Sequence, residues 1–458
     1  MPNTNTKEVK IQSPDHYPKK KLLNLKESSR PEINYTLPSK YKYLRKKHPS
    51  VVEDGALPIT SLGLEKNDPN FTIWKKIYLL FGLIFLVIPR TILFILILLN
   101  MQIWTYLGTF TIPESEKLMA KKPDIRSGKG TENLFRKTCL WITLFYYRLI
   151  FVCFGVYWVN EKGVRAKFKQ APIAVCAPHV TMADTSFFGA FPFHNPVSPV
   201  STDEFGPLLN RPMRLLNAIL VSTTSKKSRS LVSQEITRRV SSIKKEDWNQ
   251  IVVFPEATCT SGDILMNFKT GAFMDGQAVQ PIYIESYNYI NCTFTWIGYN
   301  SPLLFLILLA SFRTKITVHY LPIYHPNNQE ISDPELFAYN VREVISKYSG
   351  LPVLDTDTTD GKIMKIYQNK FGGNPQHAFI GVLDIIRKYN VGVGEILRIC
   401  EEVMSIFEKN CDGNGLVKNT CDQLADFGLQ KDDILTTESD NKFLNMRSIV
   451  DAKIKRAF

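Results

Sequence analysis

His179 and Asp184, five positions apart, are the pair in this sequence best suited to move a proton. They stand in APIAVCAPHVTMADTSFF, residues 171–188, where an apolar, partly β-branched run stops at Pro178. Inside one helix the two side chains would lie about 140° apart, at roughly 100° per residue, and out of reach of each other. On a turn between a strand and a helix they can meet. A carboxylate beside an imidazole fixes its tautomer and raises its basicity, which makes a general base. The plainer alternative is a turn histidine with Asp184 as the N-cap of the next helix.

Two further stretches carry chemistry. In IVVFPEATCTSGDILMNFKTGAF, residues 251–273, a buried strand ends at Phe254-Pro255 and Glu256 emerges at its rim. The Thr258 hydroxyl, the amides of the loop running to Gly271 and the Lys269 ammonium would give that rim donors and a cation for an anion. Upstream, Thr223 to Arg229 reads as a polar, basic loop between a strand and a helix, a phosphate cradle through charge and helix N-terminus together. Taken singly, Glu256 reads equally as a salt-bridged strand-end acid, and Lys226, Lys227, Arg229 and Lys269 as solvated surface. Their conjunction in this order points to one crevice.

Such a crevice needs a sheet. Between Gly155 and Tyr324, β-type runs (GVYWV, IAVC, AILVST, IVVF, PIYI, ITVHYLPIY) alternate with helical segments, of which SLVSQEITRRVSSI is the clearest. That alternation predicts an α/β layered sheet with flanking helices, whose ligand crevice lies at the carboxyl ends of the strands. Before it, residues 1–70 read as a disordered basic tail. Residues 71–160 read as membrane-associated helices. The apolar run Ile77 to Leu107 is interrupted by Pro89-Arg90; a charge at mid-bilayer is costly and proline breaks a helix, so a re-entrant hairpin over 75–108 is expected, with one kinked span as its competitor. Residues 138–159 suit an interfacial helix. Ser301 to Phe312 is too short to span and reads either as a lipid-dipping segment or as a core helix. No secretory signal is read, because the first apolar core comes only after Trp74.

Over 458 residues the net charge is +13, which favours an anionic membrane surface or nucleic acid. Basic low-complexity tracts and zinc spacings are absent, so a bilayer is expected and nucleic acid is not. Eight scattered cysteines without a CxxC read as reduced, buried thiols facing the cytosol.

PHVTMAD matches the HxxxxD motif of the glycerolipid acyltransferases, FPEATCTSG their FPEGT motif, and the segment around Val279-Gln280-Pro281 their late apolar-proline motif. With FKTGAF and LFAYNVREVISKYSGLPV, the sequence most resembles their lysophosphatidylcholine and lysophosphatidylethanolamine branch, over roughly residues 75–355, and the resemblance implies a glycerol-phosphate-acyltransferase-like sheet over 161–355. It implies acyl-CoA as co-substrate, a lysophospholipid hydroxyl as acceptor, His179 and Asp184 as catalytic residues, and Arg229, Glu256, Thr258, Lys269 and Gly271 as substrate-binding. Direct transfer between two bound substrates needs no nucleophile from the protein, and no cofactor or metal is required. Two positions depart from the pattern: Ala257 stands where the family has glycine, and Thr223 where it often has arginine. An endoplasmic reticulum membrane is implied, with Golgi or lipid droplet as alternatives, and the catalytic domain facing the cytosol. The rivals are an acyltransferase for lysophosphatidic acid or glycerol 3-phosphate, and a non-catalytic membrane interaction protein.

Residues 363–458 read as helical and EF-hand-like. Asn410, Asp412 and Asn414 occupy loop positions 1, 3 and 5, but Cys421 stands at position 12, where a bidentate glutamate belongs. No Ca²⁺ is therefore expected. The oligomeric state is not encoded in any pattern of the sequence.

Overall fold

The structure is a computed structural model that describes residues 72–110, 131–180, 184, 197–202, 211–213, 215–216, 218–221, 226–241, 248–260, 262, 264–290, 301–351, 353, 358–371, 382–410, 417–418, 421–430, 443–444 and 446–457. Seven strands form its sheet: β1 (Val159–Lys162), β2 (Ile173–Ala177), β3 (Val197–Thr202), β4 (Ile219–Val221), β5 (Gln250–Val253), β6 (Val279–Asn288) and β7 (Thr314–Tyr320), in the spatial order β1-β7-β6-β2-β5-β3-β4. All neighbours are parallel except β6 and β7. This is the expected α/β sheet with flanking helices. The sequence reading missed β3, whose VSPVST lacks a β-branched run, and set β1 too early, at GVYWV.

Central β2 is buried along its whole length because both faces are covered. Ala174 and Cys176 point into one core, with α2 (Val87–Thr109) and α3 (Thr131–Cys153), while Ile173, Val175 and Ala177 point into another. That second core is closed by α4 (Lys226–Ser241) and by a helix over Pro334–Ser349. The latter shows how local chemistry sets an element. Asp333 caps it by accepting from the Glu335 and Leu336 amides, proline opens it, Gly350 ends it at φ 73°, and Phe337, Val341 and Ile345 form its buried stripe.

The N-terminal helices depart from expectation. α1 (Ile73–Phe85) and α2 are separated by Leu86 alone, in helical conformation, and the Leu86 and Arg90 amides still bond to the carbonyls four residues back. A chain reversal requires non-helical residues, so the path is one broken helix rather than the re-entrant hairpin. α2 is long and apolar enough to cross a membrane, and most of it is exposed. At the interfacial helix expected over 138–159, α3 buries Leu140, Leu144, Tyr147 and Phe151 between α2 and the sheet and leaves Leu134, Phe135 and Phe145 exposed.

Arg90 explains why an apolar run carries a charge. It donates to the Leu309 and Ser311 carbonyls at 2.7 and 2.5 Å and to the Tyr157 hydroxyl at 2.8 Å. Its guanidinium thus closes the C-terminal end of α5 (Ser301–Ala310), where helix carbonyls lack partners. α5 is the short apolar helix; it buries Leu304 and Ile307 beside Tyr78 and Leu79 of α1 and leaves Leu303 and Leu306 exposed. Arg90→Leu is expected to lower stability by about 2–3 kcal/mol, the scale of lost charge-assisted bonds; thermal unfolding of detergent-purified protein measures it.

The C-terminal helices run from α6 (Thr358–Phe371) to a helix over Met446–Ala457. Between them, the short strands Val417–Lys418 and Phe443–Leu444 pair antiparallel, each followed by a helix. Their core includes Ile264 and Met266, so this region is built directly onto the loop that follows β5. Residues 411–416, with Asp412 and Asn414, lie outside the described residues, as does the side chain of Asn410.

Candidate active site

β2 and β5 are parallel neighbours, with Val175 opposite Val253, so both chains leave the sheet at the same edge. β2 continues through a cis Ala177-Pro178 bond into His179; β5 continues through Phe254-Pro255 into Glu256. Two motifs 77 residues apart thereby become neighbours.

The imidazole is held on several sides. Its Nδ1 donates to Asp184 Oδ2 at 2.9 Å, and the same oxygen accepts the Val180 amide at 2.9 Å. Asp184 therefore orients the ring and does not serve merely as a helix cap. Phe254 stacks on the ring at 4.3 Å between centroids, and the Thr260 amide donates to the His179 carbonyl at 2.6 Å. The side chains of His179 and Asp184 are only 13% and 4% exposed. Burial pulls the imidazole pKa down. The charge and hydrogen bond of Cys259, together with Asp184, outweigh that, and hold it well above its ordinary value.

Glu256, expected as a substrate contact, makes its bonds to backbone here. It is fully buried, with Oε2 accepting the His179 amide at 2.7 Å and Oε1 the Met266 amide at 2.9 Å. Both oxygens are committed to backbone, so the carboxylate is a brace joining the histidine turn to its own loop. Burial raises its pKa to about 7 against the lowering by those two amides.

Elsewhere in the loop, Thr258 is half-buried and Lys269 exposed, with the Lys269 amide bonded to the Pro255 carbonyl at 2.9 Å. Gly271 sits in the short turn Thr270–Ala272, where an added Cβ would meet nothing within 4 Å, so nothing packed there requires glycine. Lys226, Lys227 and Arg229 open α4 instead of forming a loop; their side chains and residues 222–225 lie outside the described residues. Among the described residues no group of His, Cys, Asp and Glu is arranged to hold a metal ion.

The sequence reading missed Phe254 as a partner of the ring. The stacking depends on β2 lying beside β5, which no local pattern records.

Ala257, at the position where a glycine was expected, adopts φ 55°. A left-handed conformation costs a non-glycine residue about 1–2 kcal/mol, of which the looser unfolded chain of a glycine variant gives back roughly 0.5–1. Ala257→Gly is therefore expected to raise stability by about 0.5–1 kcal/mol, seen as a rise in melting temperature. Gly262, at φ 83°, is less tolerant: a Cβ there would come within 2.7 Å of Val180 Cγ1, beside the histidine.

The Acyltransferase family model matches residues 159–285, which include both motif turns. A lysophosphatidylcholine acyltransferase of Drosophila melanogaster is 34% identical over 233 residues, 50% of this chain and 43% of that protein. Lysophosphatidylcholine acyltransferase 2 of Homo sapiens is 36% identical over 225 residues, 48% of this chain and 40% of that protein. The chain thus matches less than half the length of these relatives. A solved 1-acyl-sn-glycerophosphate (LPA) acyltransferase from Thermotoga maritima aligns over 57% of this chain at 15% identity, and its TM-score of 0.32 carries no weight here. His179 and Glu256, joined at one sheet edge, both lie inside the segment 159–285 that matches the Acyltransferase family model.

Proposed function

We propose that this protein transfers a fatty acyl group from acyl-CoA to the free hydroxyl of a lysophospholipid, with lysophosphatidylcholine or lysophosphatidylethanolamine favoured. The observation that carries this reading is the His179–Asp184 contact at 2.9 Å at the carboxyl end of β2, within the acyltransferase domain. A glycerol hydroxyl is a poor nucleophile near neutral pH. An imidazole whose Nδ1 proton is fixed by a carboxylate presents Nε2 to take the hydroxyl proton as the oxygen attacks the acyl carbonyl. The relatives named for lysophosphatidylcholine support the choice of acceptor.

The lipid side of the reaction suits the same molecule. α1 and α2 expose Trp74, Phe81, Ile84, Ile88 and Ile92, and the net charge of +13 favours an anionic leaflet. We read these helices as the bilayer attachment, in an endoplasmic reticulum membrane with the catalytic domain on the cytosolic side, a placement consistent with five free cysteines among the described residues.

The test is a panel of labelled acyl-CoA with lysophosphatidylcholine, lysophosphatidylethanolamine, lysophosphatidic acid and glycerol 3-phosphate, run on detergent-purified protein beside His179→Ala. Product from the first two, lost in the variant, supports the proposal. Product only from the last two reassigns the acceptor. No product from any acceptor favours a non-catalytic membrane protein.

A further inference from the structure

The loop after β5 is built into two cores at once. Leu265 is buried in the core closed by the helix over Pro334–Ser349, together with Phe337 and Val341 of that helix. Ile264 and Met266, its neighbours in the chain, are buried in the core of the C-terminal helices instead. That alternation is the period of an extended chain, whose successive side chains point to opposite faces. Leu265 accordingly makes a parallel bridge with Val353, on the stretch that leads to α6. The core that holds Met266 takes Met364 and Tyr367 from α6, and Ile399 and Val403 from the helix over Val393–Asn410. By its side chain, then, Met266 belongs to the C-terminal region. By its backbone it belongs to the active site, because its amide donates to Glu256 Oε1 at 2.9 Å while Oε2 of the same carboxylate accepts the His179 amide at 2.7 Å. A single carboxylate therefore ties the seam between the two cores to the histidine. Glu256 is fully buried, so water cannot take the place of either amide, and a displacement of Met266 is either passed to the His179 turn or breaks a bond.

We propose that Met266 is a positioning residue for the His179 base, through which the C-terminal helices hold the catalytic turn in place. The proposal rests on the general-base role given to His179 above. A base misplaced by about 1 Å can lose roughly 10²-fold in rate, so a small repacking around Met266 is enough to matter. Any change in packing among α6 and the helix over Val393–Asn410 thereby changes turnover without touching either substrate.

The test compares the full-length, detergent-purified chain with two variants. Met266→Ala empties the seat in the C-terminal core and keeps the amide; Met266→Leu refills the seat with a side chain of similar volume. Amide hydrogen exchange of the peptide carrying His179, followed by mass spectrometry, reads the brace with no substrate present. It is expected to quicken at least about tenfold in Met266→Ala, with peptides of β1 and β7 unchanged, and to return to the wild-type rate in Met266→Leu. Acyl transfer measured alongside should show kcat about 10–100-fold lower in Met266→Ala, KM for both substrates within about twofold of wild type, and kcat restored in Met266→Leu. Wild-type exchange at the His179 peptide in a folded Met266→Ala, or quickened exchange with kcat unchanged, overturns the positioning role and leaves the proposed function standing. Absence of transfer by the wild type overturns the proposed function, and the exchange comparison still decides whether the C-terminal helices hold the turn. Should Met266→Ala fail to fold, Ile399→Val, one methylene lost in the C-terminal core, takes its place: exchange at the His179 peptide is expected to be at least about twofold faster, and unchanged exchange overturns the joint.

Discussion

Asp184→Asn is expected to lower the rate of the proposed acyl transfer by about 10³–10⁴-fold, the loss seen when the carboxylate of a His–Asp pair is replaced by an amide. The reason is local. One oxygen, Oδ2, accepts from both His179 Nδ1 and the Val180 amide. An asparagine must turn either its NH₂ toward these two donors or its oxygen. If the NH₂ faces them, both bonds are lost and the ring flips its proton to Nε2, where it can accept nothing. If the oxygen faces them, the orienting charge is gone and the imidazolium formed during transfer has no counter-ion. Either outcome acts on the proton-transfer step, so kcat falls far more than KM rises. Asp184 is almost completely buried, hence thermal unfolding must accompany the kinetics. A fall in rate of less than tenfold, with unchanged stability, would show that the ring is oriented by something else.

What could be read from sequence, and what could not, divides along the distance over which the chain folds. The His179 turn was legible because an apolar run, a proline, a histidine and an aspartate are consecutive, and the strand-to-turn geometry follows from them. The α/β class followed from the alternation of runs. Glu256 was placed at the right rim, but nothing in FPEAT says that its two oxygens will meet the amides of residue 179 and residue 266. Pro89-Arg90 was taken as the point where a helix pair reverses. Proline within the first turn of a helix costs little, because the amide it lacks would be unpaired there anyway. The arginine is accommodated by carbonyls 219 and 221 residues away. β3 escaped because its strand character comes from β4 and β5 on either side, not from its own VSPVST.

Replacing Glu256 by glutamine is expected to abolish most of the proposed transferase activity and to remove one step from its pH profile. In the wild type each carboxylate oxygen faces an N–H, at 2.7 and 2.9 Å. A glutamine must point its own NH₂ at one of them, so one brace bond becomes a donor–donor clash in a fully buried site. The expected cost is about 1–3 kcal/mol of stability, with roughly 10²-fold or more in rate because the His179 turn and the Cys259 loop lose their common anchor. Protonation of the wild-type carboxyl does the same thing reversibly. Burial raises its pKa to about 7, so as pH falls through 7 one oxygen becomes an O–H and its bond to the amide is lost. Wild-type activity should therefore drop on the acid side of about pH 7 beyond the fall that protonation of the His179 base brings, and the variant should keep only the His179 part. The stability contribution of this group has the opposite sign. A carboxyl whose folded pKa lies above its unfolded value disfavours folding when ionised, so its cost is full above about pH 7 and disappears below the unfolded value near 4.5. From pH 7 downward the site loses activity while this one residue penalises the fold less, by up to roughly 3 kcal/mol. Activity and chemical denaturation measured across pH 5–8 separate the two effects. An acid limb in Glu256→Gln identical to that of the wild type would assign all of it to His179 and would leave Glu256 a purely structural brace.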